Sequence, residues 1–413
     1  MGVNDILKVI YAPHKIFKEI IQNPKYLGAF ILLIIFAVAQ IGSSYVVASR
    51  SYIEQTLPTA DQGDLWTNNA TLWQASPSVT VTNNYADFIN GTYYGSSSVQ
   101  FAVSNSTSIQ MALFDLGGSV NCGANGFKNV SLRVKIVTPD VKPANASLFL
   151  NSSSGSNFYY DLTNAFSNST ANVWNNLTIP VGSGAWSSNN AASWENITSL
   201  KMDFTWPSNS SIDVRIDGLF FRGIYKTPIE TYGATAYLAQ SALNGIAPFI
   251  FEWLLLTALL YIIIKGLKGN VIWRPLMVAV GFALVTMVIQ AIIFIAIYST
   301  LPNLYYPLEY LAGILGEEFN AAYSVISNQI ALVLQISSIV QIAVYIWTVG
   351  LATIITRDIT GDVKIAEQSG RGKAVSDATT VQDIRGFGWL KSLLVAGASF
   401  LLTILILGFV LGG

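Results

Sequence analysis

The sequence predicts a multi-domain membrane protein: a five-helix α-helical transmembrane bundle with an all-β jelly-roll sandwich inserted between its first two spans. Three observations carry this. Five apolar runs, 27–48, 247–265, 276–299, 330–356 and 390–411, each come near the roughly 20 helical residues a bilayer core requires. Between the first two runs, 66–226 is rich in Asn, Ser, Thr, Tyr and Trp and holds no apolar run of membrane length. Of the 413 residues, 52% are hydrophobic and only 11% charged, where a soluble domain carries about 25% charged residues.

That composition, with a mean hydropathy of +0.47, excludes a disordered chain, a nucleic-acid binder and a soluble enzyme of ordinary surface. With 22 Lys+Arg against 23 Asp+Glu, net charge names no partner. A single cysteine, Cys122, excludes an intrachain disulfide framework and a cysteine-cluster metal site. A single histidine, His14, excludes multi-histidine metal sites.

The elements follow in chain order. In the segment 1–26, Val3, Ile6, Leu7 and Ile10 recur at helical spacing, and the pattern resumes after Pro13 as Ile16, Phe17, Ile20 and Ile21. Two short amphipathic helices broken at Pro13 are expected, either lying on the membrane surface or packed against the spans. Span one, 27–48, has a rival reading as a signal peptide ending near Val47-Ala48-Ser49. Its long basic lead and long apolar stretch favour a retained span. The stems 49–65 and 227–246 join the sandwich to the membrane, with helical extension of the spans as one reading. Within 66–226, strand-like runs recur, among them 98–103, 108–114, 130–137, 146–150, 175–181, 200–206 and 212–225. Gly, Asn, Ser and Pro turns separate them, the pattern of a β-sandwich. Spans two to five follow, with a mixed-charge cytoplasmic loop at 357–389.

Orientation follows from the basic residues. Lys8, Lys15, Lys18 and Lys25 precede span one, and Lys265, Lys268 and Arg274 follow span two. Arg357, Lys364, Arg371, Lys373, Arg385 and Lys391 cluster before span five, while 300–329 holds no basic residue but Glu309, Glu317 and Glu318. Alternate loops are therefore basic, which places the N-terminus in the cytoplasm and both 49–246 and the C-terminus outside. Asn-x-Ser/Thr acceptors agree. Asn69, Asn90, Asn105, Asn129, Asn145, Asn151, Asn168, Asn176, Asn196 and Asn209 all lie in 66–226, and the seven asparagines outside it form none. The composition of that segment would give about five by chance, so a glycosylated outer face is expected.

Two resemblances add to this. The run Ala12-Pro13-His14-Lys15-Ile16-Phe17-Lys18-Glu19-Ile20, then Asn23-Pro24-Lys25-Tyr26-Leu27 entering a span, resembles the start of Yip-domain membrane proteins. Ala247-Pro248-Phe249-Ile250 through Lys265-Gly266-Leu267-Lys268-Gly269 is similar to a later part of the same family, so the likeness covers 1–50 and 245–413. It implies five spans and a cytoplasmic N-terminus. The large insert departs from the eukaryotic members and implies an archaeal type of member. The family's GTPase-binding role is not carried over, because no such surface is visible in the sequence. The second resemblance is in the insert. Val214-Arg215-Ile216-Asp217-Gly218-Leu219-Phe220-Phe221, with Trp194-Glu195-Asn196-Ile197-Thr198-Ser199-Leu200 before it, looks like the end of galactose-binding-like and carbohydrate-binding modules.

Candidate functional residues are few. Trp186, led by Gly182-Ser183-Gly184-Ala185, and Trp194 are the candidate sugar platforms, with core packing as the alternative. Asp217 is the candidate ligand of a structural calcium, a turn-capping role being the alternative. Inside the spans, Gln40, Glu252, Gln290, Gln335 and Gln341 are the polar residues that point either to a pathway or to interhelical hydrogen bonds. Phosphate-loop, nucleophile-elbow and zinc-protease motifs are absent. The expectation is a non-enzymatic cell-envelope protein without cofactor. It anchors a glycosylated binding module whose partner is a surface protein or glycan. A transporter or channel with an extracellular lid is the rival.

Overall fold

The computed structural model describes residues 3–153, 155–167, 171–182, 184–189, 191–314, 316–369 and 386–411. The chain forms two compact units: Met1–Arg50 with Pro228–Asn303 and Asn328–Gly413, and Ser51–Thr227 with Leu304–Ser327. In chain order come α1 (Val3–Tyr11), α2 (Pro13–Gln22), α3 (Leu27–Arg50), then strands β1 (Ser51–Leu57), β2 (Trp73–Ala75), β3 (Thr80–Asn84), β4 (Ser98–Leu113), β5 (Asn129–Thr138), β6 (Asn145–Ser153) and β7 (Ser156–Asp161). Next are α4 (Thr163–Ser167), β8 (Asn175–Pro180), β9 (Ser187–Asn189), β10 (Ser199–Lys226), α5 (Pro228–Tyr232), α6 (Ala234–Gly266), α7 (Trp273–Ala283) and α8 (Val285–Tyr298). The last are β11 (Leu304–Tyr306), α9 (Leu308–Leu311), α10 (Glu317–Ser369) and α11 (Trp389–Leu411).

Among the described residues, five helical stretches are long and apolar enough to cross a membrane: Leu27–Arg50, Ala234–Gly266, Trp273–Tyr298, Glu317–Gly361 and Trp389–Val410. The third joins α7 to α8 through Leu284. Proline at the first position of α2 ends α1 and starts a new helix, because it has no N–H to give the preceding turn. Ile6, Val9, Ile16, Phe17, Ile20 and Ile21 are buried in one core with α3, α6, α7 and α8, so the amphipathic faces of α1 and α2 are packed against other helices. Close approach depends on glycine. A Cβ on Gly28 would lie 2.0 Å from the Phe282 ring, and one on Gly281 2.7 Å from Ala29.

Among the described residues, the second unit is a β-sandwich of eleven strands in one connected sheet, antiparallel except for the pairing of β1 with β11. The long strand β4 pairs along almost its whole length with Leu200–Ile216 of β10, with irregular register near Thr205–Ile212. One half of β10 also pairs β6, and the other half pairs β5 and β1. Alternate residues of both long strands are buried on one side: Val99, Phe101, Ile109, Met111 and Leu113 against Leu200, Met202, Phe204, Ile212, Val214 and Ile216. This period of two is what a half-buried strand requires.

Two segments differ from the sequence expectation. The stem 49–65 is not a helical extension of span one: Ser51–Leu57 is strand β1, antiparallel to β10. The loop 300–329 is not a plain connection either. Leu304–Tyr306 pairs in parallel with Ser51–Ile53, and Leu308 and Ala312 join Phe220 in a small second core. The sandwich is therefore completed by a segment that follows span three. The segment 227–246 is mainly helical, as α5 and the first turns of α6. Part of the loop 357–389 lies outside the described residues.

Candidate functional site

The two halves of the sandwich present different outer faces. On the β4–β10–β5 half, the outer face is covered. Asp87 accepts from Lys135 at 2.9 Å and also from Arg215, and the Trp174 indole N–H donates to Asp87 at 3.1 Å. Burial pushes the Asp87 carboxyl up, but the hydrogen bond and charge of Lys135 and the bond from Arg215 outweigh it and leave the group below its ordinary value.

On the other half, the outer face is open. Register places Ser187, Tyr159, Phe149, Lys201, Ala112 and Gln74 in one row across β9, β7, β6, β10, β4 and β2. The neighbouring row holds Asp161, Ser147, Asp203 and Gln110. Leu148 and Leu150 on either side of Phe149 are fully buried, so Phe149 faces away from the core. The Phe149 and Tyr159 rings lie 5.3 Å apart at 55°. Lys201 Nζ sits 4.2 Å from the Phe149 ring centre and 2.8 Å from Asp203 Oδ2. Asp203 Oδ1 has no hydrogen-bond partner although it is buried. The face thus offers an aromatic pair beside the Lys201–Asp203 ion pair, with Asp203 Oδ1 itself beneath the surface. Aromatic faces stack on apolar ring surfaces, and carboxylates accept from hydroxyls, so the set suits a polyhydroxylated ligand.

None of these four residues was singled out in the sequence. The signal was available: along 145–151 the outward positions include Phe149, and along 156–161 they include Tyr159, where an open strand face is ordinarily polar. The tryptophans drew attention instead, and the structure uses them as core. Trp186 is 7% exposed and donates its indole N–H to the Pro180 carbonyl at 2.7 Å, so it is not a loop platform. Trp194 is half-buried and stacks on Phe158 with ring centres 3.7 Å apart. Trp66, Trp73 and Trp206 are buried as well.

Asp217 lies fully buried beside Asp64, which the sequence did not pair with it. Gly218, at φ +61°, carries β10 through a register shift. Its N–H donates to Asp64 Oδ2 at 2.8 Å and to Asp217 Oδ1 at 2.9 Å. A Cβ there would meet the Tyr94 ring at 2.3 Å, so both the backbone and the packing require glycine. Thr67 donates its hydroxyl to Asp64, and the Ile89 N–H donates to Asp217 Oδ2 at 2.6 Å. Burial, and then the Asp64 charge, pushes the Asp217 carboxyl up to about 9, and burial raises Asp64 too. Calcium takes roughly six to eight oxygens. Here backbone N–H groups point at the carboxylates, and no cluster of three metal-ligating side chains exists among the described residues. The pair fits a shared proton, not a calcium ion.

The acceptor asparagines are accessible to different degrees. Asn90, Asn105, Asn145, Asn176, Asn196 and Asn209 are exposed, and Asn69, Asn129 and Asn151 are half-buried. Asn168 lies outside the described residues. In the helical unit, Gln290 on α8 donates to Gln341 on α10 at 2.9 Å. Gln335 is exposed and outside this pair, and Glu252 is buried on α6.

No protein-family model matches the chain, and no curated protein matches it. The resemblance to Yip-domain proteins therefore stays with the segments quoted for it. Among solved structures, a family 11 carbohydrate-binding module from Clostridium thermocellum, in complex with a β-1,3-1,4-mixed-linked tetrasaccharide, shows 12% identity and a TM-score of 0.27. The match covers 40% of this chain and 94% of that one. A β-1,2-glucanase from Parabacteroides distasonis shows 13% identity over 38% of this chain and 24% of its own, with a TM-score of 0.28. An exo-β-agarase shows 9% identity over 40% and 24% respectively, with a TM-score of 0.28.

Proposed function

We propose that the chain is a non-catalytic, multi-pass cell-envelope protein whose sandwich binds a glycan through the Phe149–Tyr159 face. One observation carries the reading: an outward-facing aromatic pair, Tyr159 exposed and Phe149 half-buried, flanked by the Lys201–Asp203 ion pair on the open side of the sheet. A sugar ring laid on the pair would bury its apolar C–H face, while its hydroxyls meet the ammonium and carboxylate groups. The alternation of basic loops supports a cytoplasmic N-terminus, an outer sandwich and use of the acceptor asparagines.

Asn151 lies on the same outward face, two residues from Phe149. An attached glycan and a bound one would compete there, so the deglycosylated full-length protein is the form to assay. On a glycan array the wild type is expected to retain specific oligosaccharides. Each aromatic contributes about 0.5–1.5 kcal/mol beyond its area. Replacing both Phe149 and Tyr159 by Ala is therefore expected to weaken retention roughly 5- to 150-fold. No retention by the wild type, or equal retention by the double variant, overturns the reading.

A transporter is the second reading, favoured by the buried Glu252 and the Gln290–Gln341 bond within the helical unit. Substrate-dependent flux in proteoliposomes that disappears with Glu252→Gln would replace the first reading with this one.

A further inference from the structure

The helical unit holds two neighbouring cavities near the start of α2, one polar and one apolar. The polar cavity, about 440 Å³, is lined by His14, Lys15, Lys18, Arg357, Asp358 and Gly361. Three fixed positive charges face one carboxylate there. The apolar cavity, about 560 Å³, runs between α10 and α11 and is lined by Trp347, Gly350, Leu351, Ile354, Trp389 and Leu393, with Pro13 at its edge. Trp389, in the lining of the apolar cavity, touches two residues that line the polar one. Its ring lies edge-on to His14 with centres 5.3 Å apart, and the Arg357 guanidinium carbon lies 4.1 Å from its centre. The guanidinium is thereby held at the boundary between a basic pocket and a dry groove.

We propose that these two cavities together bind an acidic phospholipid, its phosphate in the basic one and an acyl chain in the apolar groove. The chemistry recognised is a phosphate monoanion carrying a long apolar tail. Guanidinium groups pair with phosphate oxygens through two parallel hydrogen bonds, and lysines add charge from the exposed side. Basic pockets between membrane helices on the side of basic loops are suited to such headgroups. Charge complementarity selects this occupant over a zwitterionic lipid. The apolar groove selects it over free phosphate, which has nothing to place there. Each cavity falls within the roughly 300–1,000 Å³ usual for small-molecule sites. The site lies in the helical unit and stands apart from the glycan reading, which concerns the sandwich.

The test uses the full chain purified in detergent. Retention of phosphatidylglycerol is compared with phosphatidylcholine of the same chains by native mass spectrometry, with inorganic phosphate as a third arm. Phosphatidylglycerol is expected to be retained roughly tenfold or more over phosphatidylcholine, whose phosphate is the same but whose choline cation would be repelled by Lys15, Lys18 and Arg357. Phosphate at the same concentration is expected neither to bind nor to displace it. Lys15→Gln with Lys18→Gln, both at exposed positions, is expected to abolish the preference, and Arg357→Gln likewise. Gly350→Phe is expected to cut retention of phosphatidylglycerol by filling the groove. A Cβ at that position meets nothing within 4 Å, so the substitution is compatible with folding. Equal retention of the two lipids, unchanged preference in the lysine variants, or displacement by phosphate alone would overturn the proposal.

Discussion

Arg222→Met should release the segment 304–311 from the sandwich. Arg222 Nε donates to Glu54 Oε1 at 3.0 Å, and its two terminal nitrogens donate to both Glu309 oxygens at 2.6 and 2.9 Å. Glu54 Oε2 in turn accepts the Leu308 N–H at 2.6 Å. The side chains of Arg222, Glu54 and Glu309 are only 10%, 2% and 20% exposed. Removing the cation leaves two carboxylates facing each other without compensation, which costs about 3–5 kcal/mol for a buried pair. Glu309 keeps some access to water, so the lower end, about 3 kcal/mol, applies; this is a little over two decades in the local opening equilibrium. Amide hydrogen exchange on the full chain in detergent reads this directly, in peptides covering Ser51–Leu57 and Leu304–Leu311. Replacing Glu54, Arg222 and Glu309 together by Met should restore most of the protection, because a fully apolar replacement leaves no orphaned charge. Exchange in Arg222→Met within about threefold of the wild type would refute the reasoning, as would a triple variant no better protected than the single one. The sign with pH follows. Burial raises Glu309, but the hydrogen bonds and charge of Arg222 outweigh it and leave the carboxyl below its ordinary 4.5. The contribution is therefore present above 4.5 and is lost as pH falls through the lower folded value.

Two further predictions concern buried titratable groups. Because Asp217 is raised from 3.8 to about 9, its contribution is full below 3.8 and is lost as pH rises through about 9. Asp217→Asn should flatten the decline of thermal stability between these limits, and an unchanged pH profile would contradict the shared-proton assignment. Cys122 is 1% exposed and burial pushes its thiol up to about 12. It should resist maleimide in the folded protein and react only on denaturation, so rapid labelling of native protein would show that its surroundings open.

The membrane helices were legible because a 20-residue apolar run has few alternatives in water. The break at Leu284 between α7 and α8 was not legible, since no proline or glycine marks it. Strand β1 was missed for a specific reason. Its buried positions are Ser51, Glu54 and Thr56, polar residues that hydropathy assigns to solvent. Strand β11 was missed because its three residues pair with a strand some 250 positions earlier, and short non-local pairing leaves no local pattern. Trp186 was misread because its glycine-containing lead looks like an exposed loop, while the Pro180 carbonyl that holds its indole is visible only in three dimensions.

The two units differ in how they satisfy many of their buried polar groups, and this bears on what a sequence can reveal. In the helical unit, Thr257, Thr348, Thr353, Thr356, Ser399 and Thr403 each donate to the carbonyl four residues earlier, at 2.7–2.9 Å. Such bonds are closed within one helix and say nothing about its neighbours. In the sandwich, the bonds of Arg222 to Glu54 and of Gly218 to Asp64 join residues 168 and 154 positions apart. The first of these bonds names the partner strand and its register, and the second ties β10 to the loop after β1. If β1 slipped by one residue against β10, Glu54 would turn to the other face of the sheet and leave Arg222 with Glu309 alone. The Leu308 N–H would lose its acceptor in the same step. Hydrophobic pattern does not forbid that slip, because Tyr52, Ile53 and Gln55 are only half-buried. The buried carboxylate forbids it, so the register of β1 rests on the charge that made the segment look like solvent-exposed stem.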